Sequence, residues 1–143
     1  MDIKRLHVGK TLSDTAVHNG TIYLAGQVAS KAAGASVSEQ TREILGQIDA
    51  LLAEAGSDKT HILATTIYLA DISTFAEMNA VWEAWVAPGH TPARATVEAK
   101  LAAPKFTVEI VCTAAKPSRP QLHAPLPTSG EREKAASFQM QHA

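Results

Sequence analysis

The segment Ile62-Leu63-Ala64-Thr65-Thr66-Ile67-Tyr68-Leu69 is rich in residues that favour β-structure. Successive side chains of a strand point to opposite faces, so positions 63, 65, 67 and 69 would share one face and positions 62, 64, 66 and 68 the other. Both sets are substantially apolar, which is typical of a central strand covered on two sides. We therefore expect residues 62–69 to lie inside a β-sheet.

An amphipathic helix is predicted before this strand. Apolar residues recur there at helical spacing, namely Ile44, Leu45, Ile48, Leu51, Leu52 and Ala55. Ser38 can cap the first turn, and Gly56 stands where the residue after a helix end belongs. The pattern predicts a helix that ends at Ala55.

A second helix is predicted after the strand, with Ser73 as its cap and Pro88-Gly89 as its stop. Its buried face would carry Phe75, Met78, Trp82, Trp85 and Val86. Because both tryptophans lie on this apolar face, we interpret them as core residues rather than as rings that stack on nucleotide bases.

Further strands are predicted at residues 3–8, 21–26, 94–101 and 106–114, and Asn19-Gly20 is the pair that a tight hairpin turn prefers. The predicted order is β-β-α-β-α-β-β. Two helices can cover only one face of such a sheet, so the other face is either solvated or covered by another chain. The apolar character of both faces of residues 62–69 favours an oligomer.

Length and composition limit the possible functions. The 143 residues are 45% apolar and 19% charged, with a net charge of −1, as in one ordinary globular domain. Neither charge sign forms a long run, which argues against a general nucleic-acid or anionic-membrane partner. The single cysteine, Cys112, cannot form an internal disulfide, and no apolar run approaches a bilayer span. These features predict a cytoplasmic protein.

The composition changes after Ala115. Four of the seven prolines lie between there and Gly130, namely Pro117, Pro120, Pro125 and Pro127. We therefore predict one domain over residues 1–115 and a Pro-rich tail over residues 116–143. A short helix at residues 131–141 would need a partner surface to persist.

Metal and phosphate sites are not indicated by the sequence. The histidines are scattered, and no two of them have the spacing that would place both on one helical face. Val8-Gly9-Lys10-Thr11 resembles the end of a phosphate-binding loop, but Lys4 stands where the first glycine is needed. We predict neither a metal nor an organic cofactor.

Arg94 is the candidate catalytic and substrate-binding residue. It enters a strand after a proline-containing loop, and alternation places Arg94, Thr96 and Glu98 opposite Ala95, Val97 and Ala99. If the small aliphatic set faces the helices, Arg94 points out of the uncovered face. A guanidinium is a natural anchor for an organic carboxylate. An ion pair with Glu98 or Glu109 is the alternative interpretation.

Several segments resemble, in the right order, the RidA/YjgF family over residues 3–115. They are Tyr23-Leu24-Ala25-Gly26-Gln27-Val28, Leu52-Ala53-Glu54-Ala55-Gly56, Thr65-Thr66-Ile67-Tyr68-Leu69-Ala70-Asp71, Met78-Asn79-Ala80 and Thr91-Pro92-Ala93-Arg94. The resemblance implies an α+β, chorismate-mutase-like fold with a mixed sheet. It also implies a homotrimer whose ligand clefts lie between neighbouring subunits.

The resemblance further implies an enamine/imine deaminase, which hydrolyses small 2-imino acids to 2-keto acids and ammonia. Arg94 would hold the substrate carboxylate, and the backbone of Thr96 would help to place the water. Gln27 and Asn79 would shape the cleft, or each could be a structural hydrogen-bonding residue. No cofactor is required.

Some positions depart from the family pattern. Ala25 replaces the usual serine, Thr96 replaces a frequent cysteine, and Val111 aligns with the glutamate associated with water. Glu109 lies two residues away on the same strand face and could substitute. The alternative is therefore a Rid protein that binds a small carboxylate without deaminating it. Endoribonuclease activity is a third possibility, disfavoured by the absence of a basic track in the sequence.

Overall fold

A computed structural model describes residues 2–117. Its strands are β1 (Lys4–Val8), β2 (Ser13–His18), β3 (Thr21–Leu24), β4 (Ile62–Leu69), β5 (Ala93–Glu98) and β6 (Val108–Ala115). Its helices are α1 (Val37–Glu54) and α2 (Phe75–Trp85), each preceded or followed by short 3-10 turns. The predicted helix at residues 131–141 and nearly all of the predicted tail lie outside the described residues.

The strands form one mixed sheet in the order β1-β2-β3-β6-β4-β5. Only β4 and β5 pair in parallel, joined by the crossover through α2. The sheet has six strands, one more than predicted, because residues 13–18 also form a strand. The sequence Ser-Asp-Thr-Ala-Val-His has weak β-propensity, and its strand conformation is supported by pairing with strands on both sides.

The predicted hairpin turn is present between β2 and β3. Asn19 and Gly20 both have positive φ, 51° and 76°, as the two central residues of a type I′ turn require. A two-residue turn needs a strand on each side, so this turn was itself a signal for β2.

Helix α1 ends as predicted and begins two residues earlier than predicted. Gly56 follows the C-cap with φ 85°, and the amides of Gly56 and Ser57 donate to the carbonyls of Ala53 and Leu52. These two bonds form a Schellman motif. The N-cap is Ser36, whose hydroxyl accepts from the amide of Glu39. Ser38 lies inside the helix instead.

Helix α2 is not capped by Ser73. Asp71 caps the preceding 3-10 turn, because its carboxylate accepts from the amide and the hydroxyl of Ser73. These hydrogen bonds lower the pKa of Asp71. Met78 and Trp82 are buried as predicted, whereas Phe75 is 36% exposed.

Both helices pack against one face of the sheet. In β6, the side chains of Val108, Ile110, Cys112 and Ala114 are buried against the helices, while the alternate residues are only half-buried. The opposite face, called here the uncovered face, carries Tyr23 and Val97 at 52% and 42% exposure. A register shift between Ile62 and Ala64 breaks the predicted alternation, so Ile62 is buried and Leu63 is exposed.

Two glycine substitutions should change stability in opposite directions. Gly56→Ala places a Cβ on a residue with φ 85° and should lower the free energy of unfolding by about 1 kcal/mol. Gly46→Ala, in an open position within α1, should raise it by about 0.5–1 kcal/mol. Urea denaturation at one fixed protein concentration measures both, and a stabilising Gly56→Ala would contradict the role given to this glycine.

Candidate functional site

Arg94 lies on the helix side of the sheet, not on the uncovered face as predicted. In the parallel register Arg94 is opposite Thr65, and Thr96 is opposite Ile67. The side chains of Thr65 and Ile67 are buried beneath the helices. Val97 points the other way and is exposed. The small aliphatic residues of β5 therefore do not face the helices. As an edge strand beside α2, β5 leaves space for a long side chain on the helix side.

The guanidinium of Arg94 is held by neutral groups of α2. Its Nη1 donates to Oδ1 of Asn79 at 2.7 Å. Its central carbon lies 5.6 Å from the ring centroid of Phe75 and 5.5 Å from that of Trp82. The negative faces of these rings attract the cation. We call Phe75 and Trp82 the aromatic platform.

The alternative interpretation of Arg94 as one half of an ion pair is not supported. Within residues 2–117, the ion pairs involve His7 and His61, and Arg94 belongs to neither. Glu98 instead accepts from the backbone amide of Ile72 at 3.1 Å. The Arg94 cation is therefore left without a carboxylate partner in the described part of the chain.

The carboxylate of Glu83 is bonded to the same asparagine as Arg94. Nδ2 of Asn79 donates to Oε1 of Glu83 at 3.0 Å, one helical turn further along α2. Asn79 thus accepts a hydrogen bond from Arg94 through Oδ1 and donates one to Glu83 through Nδ2. Arg94, Asn79 and Glu83 form a hydrogen-bonded series, called here the polar series.

The polar series opens into a cavity of about 280 Å³. Its lining is Asn79, Trp82, Glu83, Val86, Thr91, Pro92 and Arg94. Two larger concavities, of about 470 Å³ between the helices and about 570 Å³ beside the β5–β6 connection, do not contain Arg94. We take the Arg94 cavity as the candidate site because its charged groups converge there.

Glu109 and Val111 lie away from Arg94, on the uncovered face. Glu109 is opposite Tyr68 of β4, and Val111 is opposite Thr66. The Glu109 carboxylate lies against Gly26, where an added Cβ would overlap it. Within one chain the structure therefore brings together Arg94 and Asn79 but not Arg94 and Glu109.

Thr96 and Gln27 are not among the residues that line the Arg94 cavity. Oγ1 of Thr96 is buried and has no hydrogen-bond partner among the described residues. Nε2 of Gln27 donates to the carbonyl of Ala25 at 3.0 Å, and its Oε1 accepts from Gln47 of α1 at 3.0 Å. The amide of Gln27 therefore ties the end of β3 to α1.

The loop that follows Gln27 is anchored by Glu43 of α1. Its carboxylate accepts from the backbone amides of Ser30, Lys31 and Ala32, at 2.7, 3.0 and 2.7 Å. These hydrogen bonds to the charged form lower the pKa of Glu43. Glu43 thus fixes the chain between β3 and α1.

In residues 2–117, no group of three or more His, Cys, Asp or Glu side chains gathers at one point. No helix in that range is long and apolar enough to cross a membrane.

Comparison with known proteins defines the family. The family model described as "Endoribonuclease L-PSP" matches residues 3–116. This chain belongs to the RidA/YjgF family. A RutC family protein of Haemophilus influenzae is 46% identical over 114 residues, which cover 80% of this chain and 98% of that protein. The RutC family protein YoaB of Escherichia coli is also 46% identical, over 115 residues, or 80% of this chain and 99% of YoaB.

Solved structures support the same assignment. A YjgF-family crystal structure from Neisseria meningitidis is 49% identical, with a TM-score of 0.80, and the match covers 83% of this chain and 98% of that one. The mixed six-stranded sheet and two helices of this chain therefore match a YjgF-family structure.

Part of this candidate site was not predicted from the sequence. Arg94 and Asn79 were predicted, and the burial predicted for Trp82 is confirmed. The contact of Trp82 with Arg94, the exposure of Phe75 and the presence of Glu83 were not predicted. One signal was available: Phe75, Asn79 and Glu83 recur every four residues and so lie along one face of α2.

Cys112 should be unreactive in the folded RidA/YjgF domain. Burial raises the pKa of its thiol to about 11, so almost no thiolate exists at pH 8. We expect little labelling by a disulfide reagent at pH 8 in buffer and complete labelling in urea. The thiol ionises near pH 9.0 in the unfolded chain and near pH 11 in the folded one. Deprotonation of the unfolded chain therefore lowers the free energy of unfolding as the pH rises from about 9 towards 11. Rapid labelling of the native protein would contradict this assignment.

Proposed function

We propose that this chain is an enamine/imine deaminase that hydrolyses small 2-imino acids to 2-keto acids and ammonia. The observation that carries the proposal is Arg94, a guanidinium beside a small cavity without a carboxylate partner in residues 2–117. Nη1 is engaged by Asn79, so the edge formed by Nε and Nη2 can bind a substrate carboxylate through two parallel hydrogen bonds.

The chemistry requires orientation and a water molecule. Water adds to the carbon of the C=N bond, the nitrogen takes up protons, and the tetrahedral intermediate then releases ammonia and leaves the keto group. Arg94 fixes the carboxylate so that the C=N carbon is presented in one direction. The backbone of Thr96 is proposed to help position the water, and no cofactor takes part.

We also propose that the active assembly is a homotrimer with its sites between subunits. Tyr23 and Val97 expose large apolar groups on the uncovered face, as expected for a surface buried by another chain. Arg94 and Glu109 lie on opposite sides of one sheet, so a site that uses both needs two protomers. The cytoplasmic location remains a prediction from the sequence.

Removal of the guanidinium should weaken substrate capture. We expect Arg94→Ala to lower kcat/KM for 2-iminopropanoate generated in situ by roughly 100-fold, the value of two charge-assisted hydrogen bonds. Arg94→Lys should be intermediate, because it retains the charge without the planar fork. Arg42→Ala, on α1 and outside the Arg94 cavity, is the matched control. Equal rates for wild type and Arg94→Ala would remove Arg94 from the mechanism.

The second candidate is a Rid protein that binds a small carboxylate without turnover. It is favoured by Ala25 and by Val111, because valine cannot orient water. Keto-acid binding in calorimetry together with no ammonia release would support this candidate over the first.

Restoring a carboxylate at position 111 should raise deaminase activity. We expect Val111→Glu to increase ammonia release about tenfold or more, since a placed general base contributes at least that much. Val111→Gln has similar size without the charge and serves as the control. If the two variants release ammonia at the same rate, position 111 does not limit the reaction.

The word endoribonuclease in the description of the family model does not change this proposal. The chain has a net charge of −1, Trp82 is buried, and Trp85 donates to Asp49 at 2.9 Å. These features do not favour phosphate binding or base stacking.

A further inference from the structure

We propose that Glu83 is a specificity-determining residue, which makes the Arg94 cavity selective for molecules that carry one carboxylate and one positively charged nitrogen. The inference rests on the proposed role of Arg94 as carboxylate anchor. The class of ligand is an α-amino acid or the protonated form of a 2-imino acid, and Glu83 would accept a hydrogen bond from the nitrogen.

Opposite charges lie together in one small space. Arg94 and Glu83 both line the cavity of about 280 Å³. They do not pair with each other, because Asn79 stands between them and bonds to both, at 2.7 and 3.0 Å. A cation and an anion held apart in this way can each bind one end of a dipolar ligand.

Each of the two charged groups retains hydrogen-bonding capacity. Glu83 is exposed and forms no ion pair within residues 2–117. Its Oε1 accepts a hydrogen bond from Asn79. A carboxylate can accept about four hydrogen bonds, so Oε2 remains for a ligand. On Arg94 the same holds for the edge formed by Nε and Nη2. Both charged groups therefore have acceptors or donors to offer.

The Glu83 carboxylate would discriminate against other acids. A dicarboxylate bound to Arg94 would place its second negative charge in a cavity that already holds the Glu83 carboxylate, and like charges at this range repel. A keto acid binds Arg94 but gives Glu83 no donor. The lining also includes Val86 and Pro92, whose apolar groups suit a short apolar side chain. The cavity should therefore bind a protonated imine more tightly than the corresponding keto acid.

A purely structural role for Glu83 must be separated from this one. Asn79 and Glu83 are one turn apart on α2, so Glu83 could serve only to orient the Asn79 amide. Glu83→Gln distinguishes the two roles, because glutamine still offers an oxygen to Nδ2 of Asn79 but carries no charge. Glu77→Gln, on the same helix where Glu77 accepts from Ser38, is the matched control for a change of one charge.

The experiment is calorimetric titration with three stable probes: L-alanine, propanoate and succinate. We expect wild type to bind L-alanine about two- to fivefold more tightly than propanoate, as for an exposed charge pair, and succinate more weakly than propanoate. Glu83→Gln should lose the preference for L-alanine and gain affinity for succinate. Glu77→Gln should behave as wild type, and Arg94→Ala should bind none of the probes.

The outcomes separate the inference from the deaminase proposal. Binding of propanoate as tightly as L-alanine by wild type, or an unchanged preference in Glu83→Gln, overturns the role of Glu83. A preference lost equally in Glu77→Gln also overturns it, because the effect would then be one of net charge. If the L-alanine preference follows Glu83 while no imine is hydrolysed, the deaminase proposal fails and the role of Glu83 stands.

Discussion

The alternation of side chains in β4 and β6 is the constraint on which the rest of the structure depends. In β6, every second residue from Val108 to Ala114 is buried, and these residues pack beneath α1 and α2. Full burial of an aliphatic side chain such as Ile110 stabilises the fold by about 1.5–3 kcal/mol. A shift by one residue would exchange this apolar set for the one that contains Glu109, so the register of the sheet is fixed.

This register also determines where the charges lie. Parallel pairing of β4 with β5 places Arg94 level with Thr65, on the helix side and at the sheet edge. There the guanidinium meets rings and an amide rather than a carboxylate. An aromatic face attracts a cation and does not compete for its N–H groups as an acid would. The platform therefore holds Arg94 in place and leaves hydrogen-bonding capacity for a ligand.

The features that the sequence predicted correctly depend on local backbone chemistry. Asn19-Gly20 and Gly56 were identified because turns and helix ends with positive φ favour these residues, and the core face of α1 was visible in its spacing. The errors in the sheet have long-range causes. Strand β2 is supported by pairing on both sides, and the inversion at Ile62 and Leu63 comes from a register shift against β6. The errors at the helix starts are local: Ser36 caps α1 in place of Ser38, and a 3-10 turn capped by Asp71 precedes α2.

The same distinction applies to the site. Arg94 and Asn79 could be named from sequence segments, but the face to which Arg94 points could not. The strand has two sets of side chains, Arg94 with Thr96 and Glu98, and Ala95 with Val97. On polarity alone the second set should face the core. At an edge strand, however, the flank of α2 offers aromatic surface and an amide to a long cationic side chain, whose aliphatic part can pack while its charged end stays accessible.

The absence of a glutamate at position 111 is best considered together with Glu83. An imine is readily attacked by water only when its nitrogen is protonated, and a neighbouring carboxylate stabilises that protonated form. Val111 stands on the uncovered face where the family resemblance implies a water-associated glutamate, whereas Glu83 places a carboxylate on α2, in the same cavity as Arg94. A carboxylate on a helix is fixed by the helix backbone and by Asn79, and so keeps its distance from the anchor. In the proposed mechanism, valine at position 111 would affect placement of the water, while Glu83 would still recognise the charged nitrogen.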